Sequence, residues 1–393
     1  MRRSLTVLLA VLLLVLTFAL WRGLRMPPLR IEPGAWPMQA AADGVQVDAE
    51  GAAWIGEGPG DWRFRSYVPE PAFRVFSERE TTLDIEIQNV HPDAQVRLAG
   101  RGLVRHDGVT WKVALPLVVG VERQVVFGFP ERPVYRFAAF GDSGGESAFA
   151  AALSSSVDLG ADFVLFLGDA GYSDDAFERA EETLRNVPIP VYAAIGNHDI
   201  GRFFHWSERF VRTFGPRNSV FTLRGVTFLN LDTSADTWPP MGGERGRLLR
   251  RLRAATPGSA GPLVVFMHRP LDDPRVEMGV VDKPHALNRA WEDSWLRENL
   301  RALGAEVVLA GHVHANIAFD DRGLPTWISG MGLAHAMDAK GEALPALLVG
   351  EFAPDGPVAL GWVPVPTRAV PGESAGSARA GGLGGEGGLA ALR

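Results

Sequence analysis

The chain has 393 residues, and at about 100–200 residues per domain this length predicts two or three domains. Apolar residues make up 46% of the chain and charged residues 22%, which excludes wholesale disorder, while a formal net charge of -7 argues against a basic surface that holds DNA or RNA. The absence of cysteine excludes a disulfide framework, a thiolate zinc site and a cysteine nucleophile.

The N-terminus carries a long uncharged segment. Residues 4–21 follow Arg2 and Arg3, contain 18 residues without a charge, and are followed by Arg22 and Arg25. A membrane span needs about 17–25 residues, whereas the core of a signal peptide has about 7–15. We therefore expect residues 1–25 to be a signal anchor, with a cleaved signal peptide as the alternative. The rest of the chain is expected outside the cytoplasm, membrane-anchored through residues 4–21 or, if the segment is cleaved, secreted or periplasmic.

The segment after this anchor changes character at residue 71. Residues 26–70 are rich in Pro, Gly and Trp without a sustained period, and we predict a linker that passes into a first strand. In residues 71–132 short runs alternate between apolar and polar positions, as at Leu83, Ile85 and Ile87, and turn residues such as Asp107-Gly108 separate them. This pattern predicts a small all-β sandwich domain, for which a spacer role is the plainest interpretation.

A second change of pattern begins at residue 133. Apolar strand-like runs ending at Phe140, Leu167, Ile195, Leu231, Met267 and Leu309 alternate with helical segments near 146–156, 175–186, 206–214, 244–255 and 290–303. Such alternation predicts an α/β domain, here residues 133–366, with ligands beyond the carboxyl ends of the strands. Residues 367–393 are dominated by Gly and Ala and are predicted to be a disordered tail.

Five of these strands end in side chains that can bind metal. The motifs are Gly141-Asp142-Ser143-Gly144, Gly168-Asp169-Ala170-Gly171-Tyr172, Gly196-Asn197-His198-Asp199, the single His268, and Gly311-His312-Val313-His314. If the strands are parallel neighbours, all five sets meet at one rim. Carboxylates, an amide oxygen, a phenol and imidazoles together suit a pair of cations such as Fe, Mn or Zn.

This set of motifs resembles the calcineurin-like metallophosphoesterase superfamily, and more narrowly the purple acid phosphatases. Many superfamily members have a metal-binding His where this chain has Gly144, whereas the purple acid phosphatases have Gly there and a Tyr ligand three residues after the second Asp, where this chain has Tyr172. The resemblance implies a four-layer α/β sandwich, and a preceding β-sandwich is similarly found in plant and some bacterial members.

The resemblance also implies a role for each motif residue. One metal would be bound by Asp142, Tyr172 and His314, a second by Asn197, His268 and His312, and Asp169 would bridge them. His198 would face the phosphate as a catalytic group, and Asp199 would orient its imidazole. The two metal ions per chain would be Fe with Fe, Zn or Mn, and a tyrosinate bound to ferric iron would give a purple colour.

The function that follows is hydrolysis of phosphate esters, most simply monoesters of a phosphorylated small molecule, by attack of a metal-bound hydroxide. A phosphodiesterase acting on nucleotides or phospholipid headgroups is one alternative, and a non-catalytic surface interaction protein with a retained phosphatase core is another. No nucleic-acid partner is expected, and the oligomeric state is left open. The substrate-facing histidines that plant members carry after the fourth motif are absent here; other candidates for substrate contact are Arg202, His205, Arg269, His285 and His335.

Overall fold

The N-terminal part of the structure, residues 38–128, is a sandwich of two five-stranded sheets. A computed structural model describes residues 38–144, 147–200, 207–236, 241–255, 261–330, 346–364 and 390–391. One sheet has the order β1 (Met38–Ala42), β2 (Val45–Glu50), β5 (Ala72–Ser77), β10 (Arg123–Gly128), β7 (Gln95–Leu98). The other has the order β3 (Ala52–Trp54), β4 (Arg63–Ser66), β6 (Thr81–Gln88), β9 (Thr110–Leu117), β8 (Leu103–Asp107). The inward residues Leu83, Ile85 and Ile87 of β6 are buried between the sheets, as their alternation predicts.

The sandwich extends further toward the N-terminus than the sequence pattern predicts. Strands β1 to β4 all lie within residues 26–70, the segment interpreted as a linker and a single first strand, so the sandwich begins at residue 38 and not at 71. Two of these strands are short and rich in Ala: β1 reads Met-Gln-Ala-Ala-Ala, and β3 is Ala52-Ala53-Trp54. β1 and β3 therefore have almost no period-2 signal, and pairing with β2 and β4 holds them in their sheets. In β2, by contrast, the buried Val45, Val47 and Ala49 alternate with polar residues, a signal that the sequence interpretation missed.

The part of the structure that follows residue 134 contains two six-stranded sheets. The first has the order β13 (Val191–Ala193), β12 (Phe163–Phe166), β11 (Tyr135–Phe140), β20 (Ala346–Phe352), β21 (Ala359–Pro364), β22 (Ala390–Ala391). The second has the order β14 (Ser219–Leu223), β15 (Val226–Leu231), β16 (Leu263–Met267), β17 (Ala305–Ala310), β19 (Pro325–Ser329), β18 (Asn316–Asp320). The helices are α1 (Ser147–Asp158), α2 (Asp174–Asn186), α3 (Ser207–Phe214), α4 (Gly243–Ala255), α5 (Pro274–Glu277) and α6 (Ala290–Ala302).

Alternation along the strands builds four layers. In β11 the side chain of Phe137 faces the second sheet and joins an aromatic core with Phe163 and Phe228, whereas Phe140 faces outward and packs with helix residues such as Phe149 of α1. Helices α4 and α6 cover the outer face of the second sheet in the same way. The predicted α/β fold is therefore confirmed, with helices on the outside and two sheets packed face to face within.

The strands that carry the motifs run parallel within each sheet. In the first sheet β11 pairs in parallel with β12, and β12 with β13; in the second, β15, β16 and β17 are parallel neighbours. The side chains of the five motifs therefore follow the carboxyl ends of strands in two different sheets. The sequence alone predicts all of them at the rim of a single sheet. The two ends meet directly, because the backbone N–H of Gly141 donates to the carbonyl of Ser329 over 2.9 Å.

Two terminal predictions fall largely outside the described residues. Residues 4–21, predicted to be the membrane anchor, lie outside the described residues. So does most of the predicted tail at 367–393, of which only Ala390–Ala391 is described, as a two-residue strand beside β21. Within the described ranges, no helix has the length and apolar character needed to cross a membrane.

Candidate metal centre

Asp142 follows the end of β11, and one of its two carboxylate oxygens accepts a hydrogen bond from the protein backbone. Its Oδ2 accepts the backbone N–H of His312 over 2.7 Å, which joins the first sheet to the second. Its Oδ1 is buried, accepts no hydrogen bond from the described residues, and lies 3.5 Å from His314 Nε2. A buried carboxylate oxygen without a donor is costly unless a cation balances it, so Asp142 suits a metal ligand.

Asp169, at the end of β12, is the most deeply placed carboxylate of the site. Its side chain is almost fully buried, and its Oδ1 accepts the backbone N–H of His198 over 2.9 Å. Its Oδ2 lies 3.5 Å from His268 Nε2. Burial, together with the nearby charges of Asp142 and Asp199, raises the pKa of Asp169 well above its usual range. A bound cation would reverse this effect and allow both carboxylates to stay ionised.

The environment of His268 contains an excess of hydrogen-bond acceptors. This fully buried imidazole is neutral near pH 7, because burial lowers the pKa of His268 to about 3. Its Nδ1 lies 2.8 Å from the carbonyl oxygen of Leu167, so the single ring proton sits there and Nε2 carries a lone pair. That lone pair faces Asn197 Oδ1 at 2.9 Å and Asp169 Oδ2 at 3.5 Å. Lone pairs that face one another at these distances repel, and a cation between them removes the repulsion.

His312 completes this group. Ligand atoms of Asp142, Asp169, His268 and His312 all lie within 4.8 Å of one another. Burial lowers the pKa of His312 to about 3 as well, so it too offers a neutral imidazole at pH 7.

Tyr172 and His314 form a second group on the other side of Asp142. Tyr172 Oη lies 3.4 Å from His314 Nε2 and also 3.4 Å from the carbonyl oxygen of Asp142. Burial and the neighbouring carboxylates of Asp142 and Asp169 raise the pKa of Tyr172 far above its usual value, so the phenol would ionise only beside a cation. A Cβ added at Gly144 would lie 3.0 Å from Tyr172 Cε2, so the tyrosine uses space that a side chain at 144 would need.

The backbone holds three of these residues in an unusual conformation. Asp142, Asp169 and His312 have φ angles of 56°, 60° and 66°, the left-handed region that non-glycine residues seldom adopt. Strain of this kind persists only where the surroundings enforce it, and it is concentrated at functional sites. Here it directs three ligand side chains from strand ends into the same space.

The predicted role of Asp199 needs correction. Both of its carboxylate oxygens accept backbone N–H groups: Oδ2 from Asp169 at 2.9 Å and from Gly196 at 2.8 Å, and Oδ1 from Ala170 at 2.8 Å. Asp199 therefore ties the loop after β12 to the loop after β13, and it does not orient the imidazole of His198. The reason is local, because the left-handed turn at Asp169 leaves its own N–H and the next one pointing toward β13.

His198 stands at the edge of the centre. Its ring is exposed and packs edge-on against Tyr172, with 4.7 Å between ring centroids. Burial of one side lowers the pKa of His198, although the charge of Asp142 acts in the opposite direction. The backbone N–H of His198 donates to Asp169 Oδ1, while its ring lies at the exposed edge of the centre.

The other sequence candidates differ in their positions. The ring of His285 lies 5.9 Å from that of His312, and Arg269 is near enough for its charge to act on Asp169. Arg202, His205 and His335 lie outside the described residues. The sequence reasoning missed Gly330, where an added Cβ would lie 2.9 Å from Asp142 Oδ2. It follows β19 directly, so the same signal of a strand followed by glycine identifies it.

Comparison with known proteins agrees with this geometry. Residues 135–316, which contain every donor from Asp142 to His314, match the sequence model of the calcineurin-like phosphoesterases. No curated protein matches the chain. Similar solved structures include the purple acid phosphatase PPD1 from yellow lupin seeds, at 11% identity over 82% of this chain and 73% of that one, with a TM-score of 0.47.

Two further structures show a comparable likeness. A dimetal phosphatase from Danio rerio is 13% identical over 60% of this chain and 99% of its own, with a TM-score of 0.44. GAP50, described as the anchor in the inner membrane complex of Plasmodium, is 13% identical over 60% of this chain and 86% of its own, with a TM-score of 0.43. The expected resemblance is confirmed by the matched sequence model: residues 135–316 form a calcineurin-like phosphoesterase domain.

Proposed function

We propose that this protein is a binuclear metallophosphoesterase of the purple acid phosphatase type that hydrolyses phosphate monoesters. The observation that carries the proposal is the convergence of Asn197 Oδ1 and Asp169 Oδ2 on the lone pair of His268 Nε2. Such an arrangement is unfavourable in a buried site unless a cation occupies it, and the phosphoesterase domain supplies the matching chemistry.

The donors divide into two groups that share Asp169. Asp142, Tyr172 and His314 form one, with Nε2 of His314 at 3.5 Å from Asp142 Oδ1 and 3.4 Å from Tyr172 Oη. Asn197, His268 and His312 form the other. Ligands bonded at roughly 2.0–2.2 Å lie about 3–3.5 Å from each other in tetrahedral or octahedral coordination. The separations of His314 from Asp142 and Tyr172, and of His268 from Asn197 and Asp169, support a two-ion centre with Asp169 as the bridge.

The chemistry divides between the ions and the side chains. When bound, the two ions would acidify a water molecule and neutralise charge on the phosphoryl oxygens. The exposed ring of His198, at the edge of the site beside Tyr172, would stabilise the transition state or give its proton to the leaving alcohol oxygen. Asp199 would keep Asp169 and the loop of Asn197 in position through its three backbone hydrogen bonds.

The donor set supports a mixed metal pair. The first group offers oxygen from Asp142, Asp169 and Tyr172 and nitrogen only from His314, a set that suits ferric iron. The second offers two imidazoles beside the oxygens of Asn197 and Asp169, which suits divalent Fe, Zn or Mn.

We further propose that residues 4–21 hold the enzyme at a membrane, with residues 26–393 outside the cytoplasm. The support is the run of 18 uncharged residues between Arg3 and Arg22. The yellow lupin and Danio rerio structures are phosphatases by description, which accords with the proposed reaction.

The decisive experiment compares Asp169→Asn with the exposed control Asp84→Asn. Protein purified without chelator is analysed for metal and assayed against a panel of phosphate monoesters and diesters. We expect about two ions per wild-type and control chain, turnover of monoesters above diesters, and loss of both metal and activity in Asp169→Asn. Preferred cleavage of diesters would replace the monoester assignment, and full activity of a metal-free preparation would refute the metallophosphoesterase itself.

A further inference from the structure

A polar cavity of about 420 Å³ lies between the sandwich and the phosphoesterase domain. Strand β4 of the sandwich forms one wall, and helices α2 and α3 form the opposite wall. The two domains are joined beside it by Asn89, whose side-chain amide both donates to and accepts from the backbone of Val191 in β13, over 3.0 Å and 2.8 Å. This cavity is separate from the metal donors, none of which lines it.

The inner end of the cavity holds a buried charge without a counterion. Arg65 is only 5% exposed, and its guanidinium makes no hydrogen bond or ion pair with the residues that the structure describes. Burial lowers the pKa of Arg65 to about 10, which still leaves the guanidinium protonated at pH 7. The hydroxyl of Tyr192 is near enough to act on Arg65, but burial raises the pKa of Tyr192 so far that this group stays neutral at pH 7.

The acidic side chains of the cavity are already engaged elsewhere. Glu181 pairs with Arg209 over 2.6 Å, and Glu86 accepts from Gln88 over 2.9 Å and lies 3.7 Å from Lys112. Glu57 is 82% exposed at the mouth, 3.8 Å from Arg63. No carboxylate of the described chain therefore neutralises Arg65.

Two more arginines extend the positive charge to the mouth. Arg185 of α2 and Arg212 of α3 are exposed, line the cavity, and make no ion pair with the described part of the chain. Arg63 also lines the cavity but pairs with Asp61 over 2.6 Å. Three guanidinium groups without a carboxylate partner in the described chain, one from the sandwich and two from the phosphoesterase domain, thus surround one space. Guanidinium binds oxyanions through two parallel N–H bonds, and a multivalent anion is needed to balance several such groups.

We propose that this cavity is a binding site for a small multivalent oxyanion of the phosphate class, which pairs with Arg65 and joins the two domains. Replacement of a buried unpaired charge by an apolar side chain of similar size is often neutral or stabilising, so Arg65→Met is expected to fold. In the absence of the anion it should melt at the same temperature as the wild type or above it.

The test measures binding of inorganic phosphate to the full-length protein by calorimetry, with sulfate and acetate as comparison anions. Because phosphate would also reach the metal centre, Asp169→Asn is titrated in parallel to isolate the cavity. We expect saturable phosphate binding to remain in Asp169→Asn and to weaken by about tenfold or more when Arg65→Met is added, as for loss of a charged hydrogen bond. The surface change Arg97→Met, at an exposed arginine of β7, serves as the control.

Three results would overturn the proposal. Complete loss of phosphate binding in Asp169→Asn would place all of it at the metal centre. Equal affinity with and without Arg65→Met would show that the anion binds elsewhere, and equal affinity for acetate would exclude a multivalent oxyanion. Arg212→Gln provides a second variant, for which we expect a smaller loss because its side chain is at the exposed mouth.

Discussion

Replacement of Asp199 by Asn tests whether the metal centre depends on one buried carboxylate that is not itself a ligand. The side chain is fully buried, and its two oxygens accept three backbone N–H groups, two at Oδ2 and one at Oδ1. An amide of the same shape keeps one oxygen, so it can hold the N–H groups of Asp169 and Gly196. Its NH₂ group then faces the N–H of Ala170, which loses its acceptor.

The expected cost follows from this count. A hydrogen bond to a charged group contributes about 1.5–3 kcal/mol, and the two bonds that remain lose their ionic character. Burial acts in the opposite direction, because it raises the pKa of Asp199 to about 6 from its ordinary 3.8, so the ionised form is less favourable in the fold than the bond count suggests. We therefore expect the free energy of unfolding to fall by about 2 kcal/mol at pH 7.

The assay is urea denaturation of chelated Asp199→Asn protein, followed by metal analysis of the same variant purified without chelator. Loosening of Asp169 should also reduce the bound metal, although every ligand is retained. The exposed control Asp84→Asn should stay within about 0.5 kcal/mol of the wild type. A variant that matched this control in both stability and metal content would refute the positioning role of Asp199.

Four further outcomes are expected. His198→Ala should keep its metal but lose about two to four orders of magnitude in turnover, as measured by steady-state kinetics with metal analysis, and wild-type turnover would contradict its catalytic role. Tyr172→Phe should bleach the visible absorption of the ferric enzyme and reduce activity less than Asp169→Asn; a colourless, fully active, iron-free wild type would instead indicate two Zn or Mn ions. In chelated protein the pKa of His268 is depressed from its ordinary 6.5 to about 3, so its contribution to stability is full above pH 6.5 and is lost as the pH falls toward 3. Urea denaturation at stepped pH should show this decline and a flatter one in His268→Gln, whereas identical slopes would contradict it. Deletion of residues 1–25 should release a soluble, active enzyme from the membrane fraction, and a reporter fused after Arg393 that worked only in the cytoplasm would reverse the orientation.

The site was more predictable from sequence than the fold around it. Motif residues follow apolar runs directly, so the positions of Asp142, Asp169 and His268 at strand ends could be inferred from local pattern. The roles of side chains that bond only to backbone could not, because the partners of Asp199 come from two loops 30 residues apart. Strands such as β3 were missed for a different reason, since three residues carry no measurable period and the pairing that stabilises them is made with distant segments.

The chain order of the proposed ligands determines when the candidate centre could take up metal. Asp142, Asp169 and Asn197 belong to the first sheet and are synthesised before the second sheet exists, whereas His268, His312 and His314 follow from its strands. Neither sheet alone supplies a complete donor group. Each of the two proposed groups contains residues from the first sheet and at least one imidazole that follows a strand of the second sheet. High affinity therefore arises only after the two sheets have packed together, and metal uptake coincides with the end of folding. Under the proposed location outside the cytoplasm, folding at the destination would let the ions of that compartment, and not those of the cytoplasm, decide which metals the protein carries.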